Sequence, residues 1–392
     1  MPLALYLLAL AVFVMGTSEF MLAGLVPAIA ADLDVSVGTA GLLTSAFAVG
    51  IVVGAPVMAA FARRWPPRLA LLVCLLVFAG CHVLGAVTPA FPLLLAARVL
   101  SAFANAGFLA VALSAATRLV PEDRKGRALA ILLSGTTIAM VAGVPAGALL
   151  GTAAGWRTTF WAIALLCVPA TIGILRGVGS APGATAADGG TPGLRAELGR
   201  LRSPRLLLAM ALGALVNGGT FAAITYLAPV VTGTAGLAEV WISVMLVMFG
   251  VGSFLGVTLA GRLSDHRPGL VLVVGGPLLP VGWIALALVA PQPGLLLGLV
   301  LVQGMLAFGV GSTLIARVLY AASGAPTMAG AYATAALNTG AAAGPVLGAL
   351  GLATGAGALA PVWVAAAMTT LALLVMLLSR RALMMSVPAR LG

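Results

Sequence analysis

From Leu3 to Ala31 the chain carries a single charge, Glu19, and eleven further apolar runs of comparable length follow. A helix of about 20 apolar residues is long enough to cross the hydrocarbon layer of a bilayer. The predicted spans are 3–30, 39–61, 69–88, 92–115, 128–151, 156–175, 205–230, 240–260, 269–290, 294–316, 328–352 and 360–379. The chain is therefore expected to be an all-α membrane protein with 12 transmembrane helices. A soluble alternative fails on composition. Hydrophobic residues make up 62% of the chain and charged residues 7%, whereas soluble domains carry roughly 25% charged residues.

Basic residues orient the spans, because loops rich in Lys and Arg stay cytoplasmic. Alternate connections, beginning with Arg63, Arg64 and Arg68, hold 18 of the 20 Lys and Arg residues. The opposite connections hold Asp32, Asp34 and Glu239, with Arg157 at a helix edge. Both termini are thus expected on the cytoplasmic side. The net charge of +11 is a topology signal and points to no nucleic-acid partner. Ala28-Ile29-Ala30 looks like a signal-peptidase site. The run before it is too long for a signal-peptide core, lacks Lys and Arg, and contains Glu19, so retention is expected. Cys74, Cys81 and Cys167 all lie in apolar runs and read as small core residues, not as disulfides or metal ligands.

One long polar connection, rich in Gly, Pro and Ala, divides the chain into residues 1–176, a linker over 177–203, and residues 204–392. The two parts repeat weakly. Gly16-Thr17-Ser18-Glu19-Phe20 and Pro27 overlay Gly218-Gly219-Thr220-Phe221-Ala222 and Pro229 at an offset of 202. Leu100-Ser101-Ala102-Phe103 overlays Met305-Leu306-Ala307-Phe308 at 205, and Pro145 overlays Pro345 at 200. Three matches at nearly one offset argue for duplicated six-helix halves, with a substrate site near the midplane between them.

Glu19 is the candidate coupling residue. An acid within a span costs at least about 2.5–3.5 kcal/mol, so it marks either a hydrogen-bonded packing contact, with Ser18 for example, or a group that loads and releases a proton. Arg98 is the one cation inside a span. Either it snorkels to the interface, or it faces the cavity and responds to the charge on Glu19. Glu19, Asn105, Asn217 and Gln303 fall one each on spans 1, 4, 7 and 10, and Phe221, Tyr226 and Asn338 complete the candidate substrate-binding set. So sparse a polar lining suits a partly hydrophobic molecule. Gly143-Val144-Pro145-Ala146-Gly147 is expected to kink span 5 and gate access, and Gly344-Pro345 to do the same in span 11. Gly261, Arg262, Asp265 and Arg267 form a loop element that could lock one conformation; the matching Phe61–Arg68 segment has no acid. His82 reads as a packed core residue. No Gly-x4-Gly-Lys-Ser/Thr loop is present, nor any nucleophile–base pair or metal-ligand cluster, so a gradient rather than ATP is the expected energy source.

With these residues assembled, the chain resembles the drug:proton antiporters of the twelve-helix major facilitator superfamily over essentially its whole length. Met15–Met21, Ala40–Gly50 with Gly54-Ala55-Pro56, Leu132–Thr137 and Ala336–Pro345 carry the resemblance. It is most similar to the chloramphenicol-resistance exporters of actinobacteria. That resemblance implies a proton-coupling role for Arg98 in the motif reaching Gly107, an antiporter motif at Gly143, Pro145 and Gly147, and a loop motif at Gly261–Arg267. The implied function is proton-coupled export of a lipophilic antibiotic from a multi-pass protein of the bacterial plasma membrane. Efflux of sugars, nucleosides or other small metabolites by the same fold is the alternative, ahead of a membrane sensor that kept the fold without transport. A monomer without cofactor is expected, with a small hydrophobic drug, protons and the lipid bilayer as its partners.

Overall fold

A computed structural model describes residues 2–61, 65–121, 124–178, 199–266, 269–323 and 328–379. Among these, twelve helices are long and apolar enough to cross a membrane. In the first half they are α1 (Leu3–Gly24), α2 (Val37–Met58), α3 (Pro67–Val87), α4 (Phe91–Arg118), α5 (Lys125–Ala154) and α6 (Trp156–Gly177). In the second they are α7 (Pro204–Thr225), α8 (Val240–Leu263), α9 (Val271–Val289), α10 (Pro293–Ala321), α11 (Ala329–Ala353) and α12 (Ala360–Leu378). No strand occurs among the described residues. An even number of crossings returns the chain to the face where α1 begins, the terminus face. Asp32, Arg157, Tyr226 and Thr354 lie toward the far face.

The packing repeats with a step of six helices. Helix α1 packs on α5 and α6 as α7 packs on α11 and α12, α2 on α4 as α8 on α10, and α3 on α6 as α9 on α12. Two main cores result, one built almost wholly from α1–α6 and the other from α7–α12. The halves meet through two related pairs, α2 with α11 and α5 with α8. Of the linker expected over 177–203, residues 179–198 lie outside the described residues.

Prolines shape the inner helices. Within the spans expected over 3–30 and 205–230, the α-helix ends early. The α-helical part of α1 stops at Phe20, a 3₁₀ turn follows over Met21–Gly24, and a short helix restarts at Val26–Asp32. Helix α7 stops at Thr225, turns at Tyr226, and resumes in Leu227–Pro229 and a π turn over Val230–Thr234. Pro27 and Pro229 explain both breaks, since each lacks the N–H that would bond the carbonyl four residues earlier. In α5, a π turn over Ala139–Gly143 precedes Pro145. The Gly143–Gly147 motif therefore widens α5 rather than interrupting it. Pro345 is absorbed without a break, and α11 stays α-helical over Ala329–Ala353, contrary to expectation. Close approach replaces kinking there: Gly340 faces the Ala214 carbonyl and Gly344 the Gly218 carbonyl, where any side chain would collide with α7.

Candidate functional site

The break in α1 leaves Glu19 at the last turn before the 3₁₀ segment, facing the space between the halves. That space is a narrow, partly enclosed pocket of about 470 Å³ between the atoms. The first half contributes Glu19, Phe20, Ala23, Thr44, Met140 and Val144. Opposite them stand Thr220, Phe221, Ile224 and Thr225 of α7, Leu246 and Phe249 of α8, and Phe308 of α10. Phe20 and Phe221 stack across the halves with ring centroids 5.6 Å apart, and Phe249 meets Phe308 edge-on at 6.0 Å. Glu19 is the pocket's one ionisable side chain. Among the described residues its carboxylate accepts no hydrogen bond and forms no ion pair.

Arg98 is 1% exposed, which settles its position in favour of the interior over the interface. Its guanidinium does not grip Glu19. Nη1 donates to Ser18 Oγ at 2.9 Å and Nη2 to the Ser18 carbonyl at 3.0 Å, while the cation lies 4.3 Å from the centre of the Phe47 ring. Ser18 Oγ also lies 2.6 Å from His82 Nε2, and His82 Nδ1 donates to the Phe78 carbonyl at 2.7 Å. In the neutral imidazole, Nε2 is then the acceptor and Ser18 must donate to it. A single donor direction runs from Arg98 through Ser18 and His82 to α3. His82 is buried as expected, but it works as a polar strut between α1 and α3. A buried cation and a half-buried carboxylate thus occupy neighbouring positions without direct contact. In a low-dielectric interior each feels the other's charge state.

The other predicted site residues divide. Phe221 lines the pocket, but Asn105, Asn217, Tyr226, Gln303 and Asn338 do not. Asn217 Nδ2 donates to the Leu337 carbonyl at 2.7 Å, fastening α7 to α11. Asn338 Nδ2 donates within its own helix to Thr334. Gln303 is fully buried against α9, where Nε2 donates to the Leu279 carbonyl at 3.1 Å. Asn105 is half-buried on α4. Tyr226 is also fully buried, and its hydroxyl bridges the halves, reaching the Gly38 carbonyl of α2 at 3.2 Å and the Pro345 carbonyl of α11 at 2.9 Å. A membrane helix is apolar all round, so its sequence does not say which way a polar side chain turns. Asn217, Gln303 and Tyr226 each found a backbone carbonyl on a neighbouring helix.

Of the residues expected to gate, Gly143 and Gly147 face α1 and α6, with Gly143 against Thr17 and Gly147 against Met21 and Thr159. Gly261, Arg262 and Asp265 continue α8, whose helix runs to His266, and Arg262 is exposed. The Asp265 side chain and Arg267 lie outside the described residues. A contact that sequence reasoning missed closes the far end of the first half. Arg157 forms an ion pair with Asp32, donates to the Thr88 carbonyl at 3.1 Å and lies over the Trp156 ring, while Trp156 Nε1 donates to Asp32 at 3.2 Å. The Arg157 hydrogen bond holds the Asp32 carboxyl below its ordinary range. Its only sequence signal was a lone arginine and an aspartate on loops of the same face.

Residues 8–336 match the Major Facilitator Superfamily. The chain is 62% identical over 389 residues to a chloramphenicol resistance protein of Streptomyces lividans, covering 99% of each. It is 34% identical to the inner membrane transport protein YdhP of Escherichia coli (strain K12), covering 95% of each. Among solved structures, a bacterial homologue of the human lysosomal transporter Spinster matches with a TM-score of 0.70 at 18% identity, covering 98% of this chain and 95% of that one. A D-xylose–proton symporter matches with a TM-score of 0.71 at 15% identity, covering 95% of this chain and 96% of that one. Twelve spans arranged as paired bundles, a pocket between them and these likenesses lead to one conclusion: the chain belongs to the Major Facilitator Superfamily, and is a multi-pass transporter of the bacterial plasma membrane rather than an enzyme.

Proposed function

We propose that this transporter exports a small lipophilic antibiotic, chloramphenicol or a related amphenicol, in exchange for inward-moving protons, with Glu19 as the proton site and both termini cytoplasmic. One observation carries the reading: the pocket's sole carboxylate borders apolar space between the halves with no hydrogen-bond or ion-pair partner among the described residues. A group so placed is exposed to water or drug as the halves rock, and its charge is matched by no direct bond that would have to break. Arg98, fixed one residue away on Ser18, loses a compensating charge whenever Glu19 is protonated, which links proton occupancy to the packing of α1 on α4. The name of the Streptomyces lividans relative supports the drug class. Sugar or nucleoside efflux finds less support, because the lining is rich in phenylalanine and poor in hydrogen-bonding groups. One chain supplies both sides of the pocket, so a monomer suffices. A neutral substrate leaves the exchanged protons as the moving charge, so the membrane potential and the pH gradient both drive export.

The test is Glu19→Gln, which keeps size and removes the titrating proton. In a drug-susceptible host the variant is expected to reach the membrane at normal levels yet give no chloramphenicol resistance, and inverted vesicles should show no drug-induced proton release. Full resistance in Glu19→Gln would overturn the coupling role.

A further inference from the structure

Two hydroxyls of the pocket stand out by what they do not do. In a membrane helix a threonine ordinarily turns its hydroxyl back onto the carbonyl four residues earlier, since no water is available. Thr17, Thr152, Thr171, Thr220, Thr313 and Thr369 all do so. Thr44 and Thr225 are 6% and 1% exposed, both border the pocket, and neither Oγ1 has a hydrogen-bond partner among the described residues. Ser45 and Ser243 are likewise unpartnered but do not border it. A buried hydroxyl left unmet is destabilising. A chain that bonds Thr220 to Val216 in the same pocket wall gains nothing for its own stability from leaving Thr225 unbonded one turn later.

We propose that Thr44 and Thr225 are the hydrogen-bonding anchors of the substrate site, one from each half, and that they select neutral aryl compounds bearing an alcohol or amide group. This deepens the export reading above and rests on it. The phenylalanines on the walls supply stacking surface for a ring, and a threonine hydroxyl both donates and accepts, matching an alcohol or amide but repelling neither. Position gives the pair a second consequence. Thr225 immediately precedes Tyr226, and Thr44 lies one helical turn beyond Gly41, which abuts the Tyr226 ring. A ligand held by both hydroxyls therefore sits directly beneath the Tyr226 bridge that joins the halves at the far face.

The experiment uses the purified full-length transporter in detergent, with Thr44→Val, Thr225→Val and, as control, Thr220→Val. Thermal melts are recorded without ligand and with chloramphenicol, its di-O-acetyl ester, or linezolid, a neutral aryl amide of another scaffold. Without ligand, Thr44→Val and Thr225→Val are expected to melt at or above the wild-type temperature, because an unmet hydroxyl is removed. Thr220→Val is expected to melt lower. With ligand, each anchor variant is expected to bind chloramphenicol about tenfold more weakly, and at least one should bind the di-O-acetyl ester as well as wild type does. Wild-type binding of linezolid but not chloramphenicol would retain the anchors and overturn the amphenicol assignment. Chloramphenicol binding that is unchanged in both valine variants would overturn the anchors while leaving export intact; it would mean that water alone meets these hydroxyls. No binding of any probe to wild type would overturn the pair as a ligand site.

Discussion

The hydroxyl of Tyr226 gives a quantitative handle on how the far face is held shut. A phenol has one proton to donate, here shared between the Pro345 carbonyl at 2.9 Å and the Gly38 carbonyl at 3.2 Å. Only the second bond crosses from one half to the other, and it is the longer. Both carbonyls sit within α-helices and keep helical partners, so Tyr226→Phe strands no acceptor. The loss is then the net value of a shared neutral hydrogen bond, about 0.5–1 kcal/mol. At roughly 1.4 kcal/mol per tenfold, the ratio of far-face-open to far-face-closed molecules should rise about two- to fivefold. The phenyl ring stays, so its packing against Gly41 and Gly348 is unchanged. Spin labels at Ala31→Cys and Ala356→Cys report the distance between halves, since both positions are exposed at the far face and the native cysteines are buried. Double electron–electron resonance should show a short-distance population that dominates in wild type, with the ratio of long- to short-distance populations raised about two- to fivefold in Tyr226→Phe. Identical distributions would refute the reasoning and assign far-face closure to packing alone, chiefly Gly38 against Ala349.

Three further outcomes follow from the same geometry. Ser18→Ala removes the acceptor of Arg98 Nη1 and the donor to His82; loss of a charge-assisted bond predicts about 1.5–3 kcal/mol of lost stability in a melt, with drug export falling further than membrane abundance. Gly344→Ala drives a methyl group into the Gly218 carbonyl and is expected to cost about 1–3 kcal/mol, whereas Gly311→Ala, with open space around it, should be neutral or slightly stabilising; equal melting of the two would refute the α7–α11 contact. The Asp32 carboxyl is held low by Arg157, so its contribution is fully present above the ordinary carboxylate value of about 3.9 and is lost as pH falls through the lower folded value. Because Arg157 and Asp32 are 33% and 44% exposed, Asp32→Asn should reduce stability by no more than about 1 kcal/mol between pH 8 and 5, and the gap to wild type should close only below pH 4.

The sequence was most legible where a residue acts through charge. Prolines were less so: Pro27 and Pro229 sit at the two broken inner helices, yet Pro345 is absorbed in an unbroken α11, so the effect of a missing N–H depends on the neighbours that can accommodate it. Glu19 was visible because one carboxylate in an apolar run cannot be indifferent. Gln303, Asn217 and Tyr226 were misplaced for a physical reason. In water a polar side chain points to solvent and the helix displays a polar face, but in a bilayer it points to whichever carbonyl is near. That depends on the rotation of the helix against a neighbour more than twenty residues away in sequence, as with Gln303 and Leu279. The reverse error hid Thr44 and Thr225. A threonine in a span reads as a small residue that satisfies itself, and only its surroundings reveal that it does not.

The broken ends of α1 and α7 connect these observations. Glu19 precedes the first break by two residues, and beyond that break Gly24 lies against Ala148 of α5 and Leu246 of α8. Thr225 and Tyr226 straddle the second break, and Tyr226 reaches α2 and α11. The segment after each proline break therefore touches a pair of helices through which the halves meet. An unbroken helix would spread any displacement of Glu19 or Thr225 along its whole length. A break confines it to the few residues that contact the other half, where the shared Tyr226 hydrogen bond, the Phe20–Phe221 stack and close small-residue contacts would have to part. Arg98 and His82 hold the segment before the first break rigid through Ser18. On the proposed coupling, a change at Glu19, whether a proton or a drug, would then be relieved on the side that can move, toward the far-face closure.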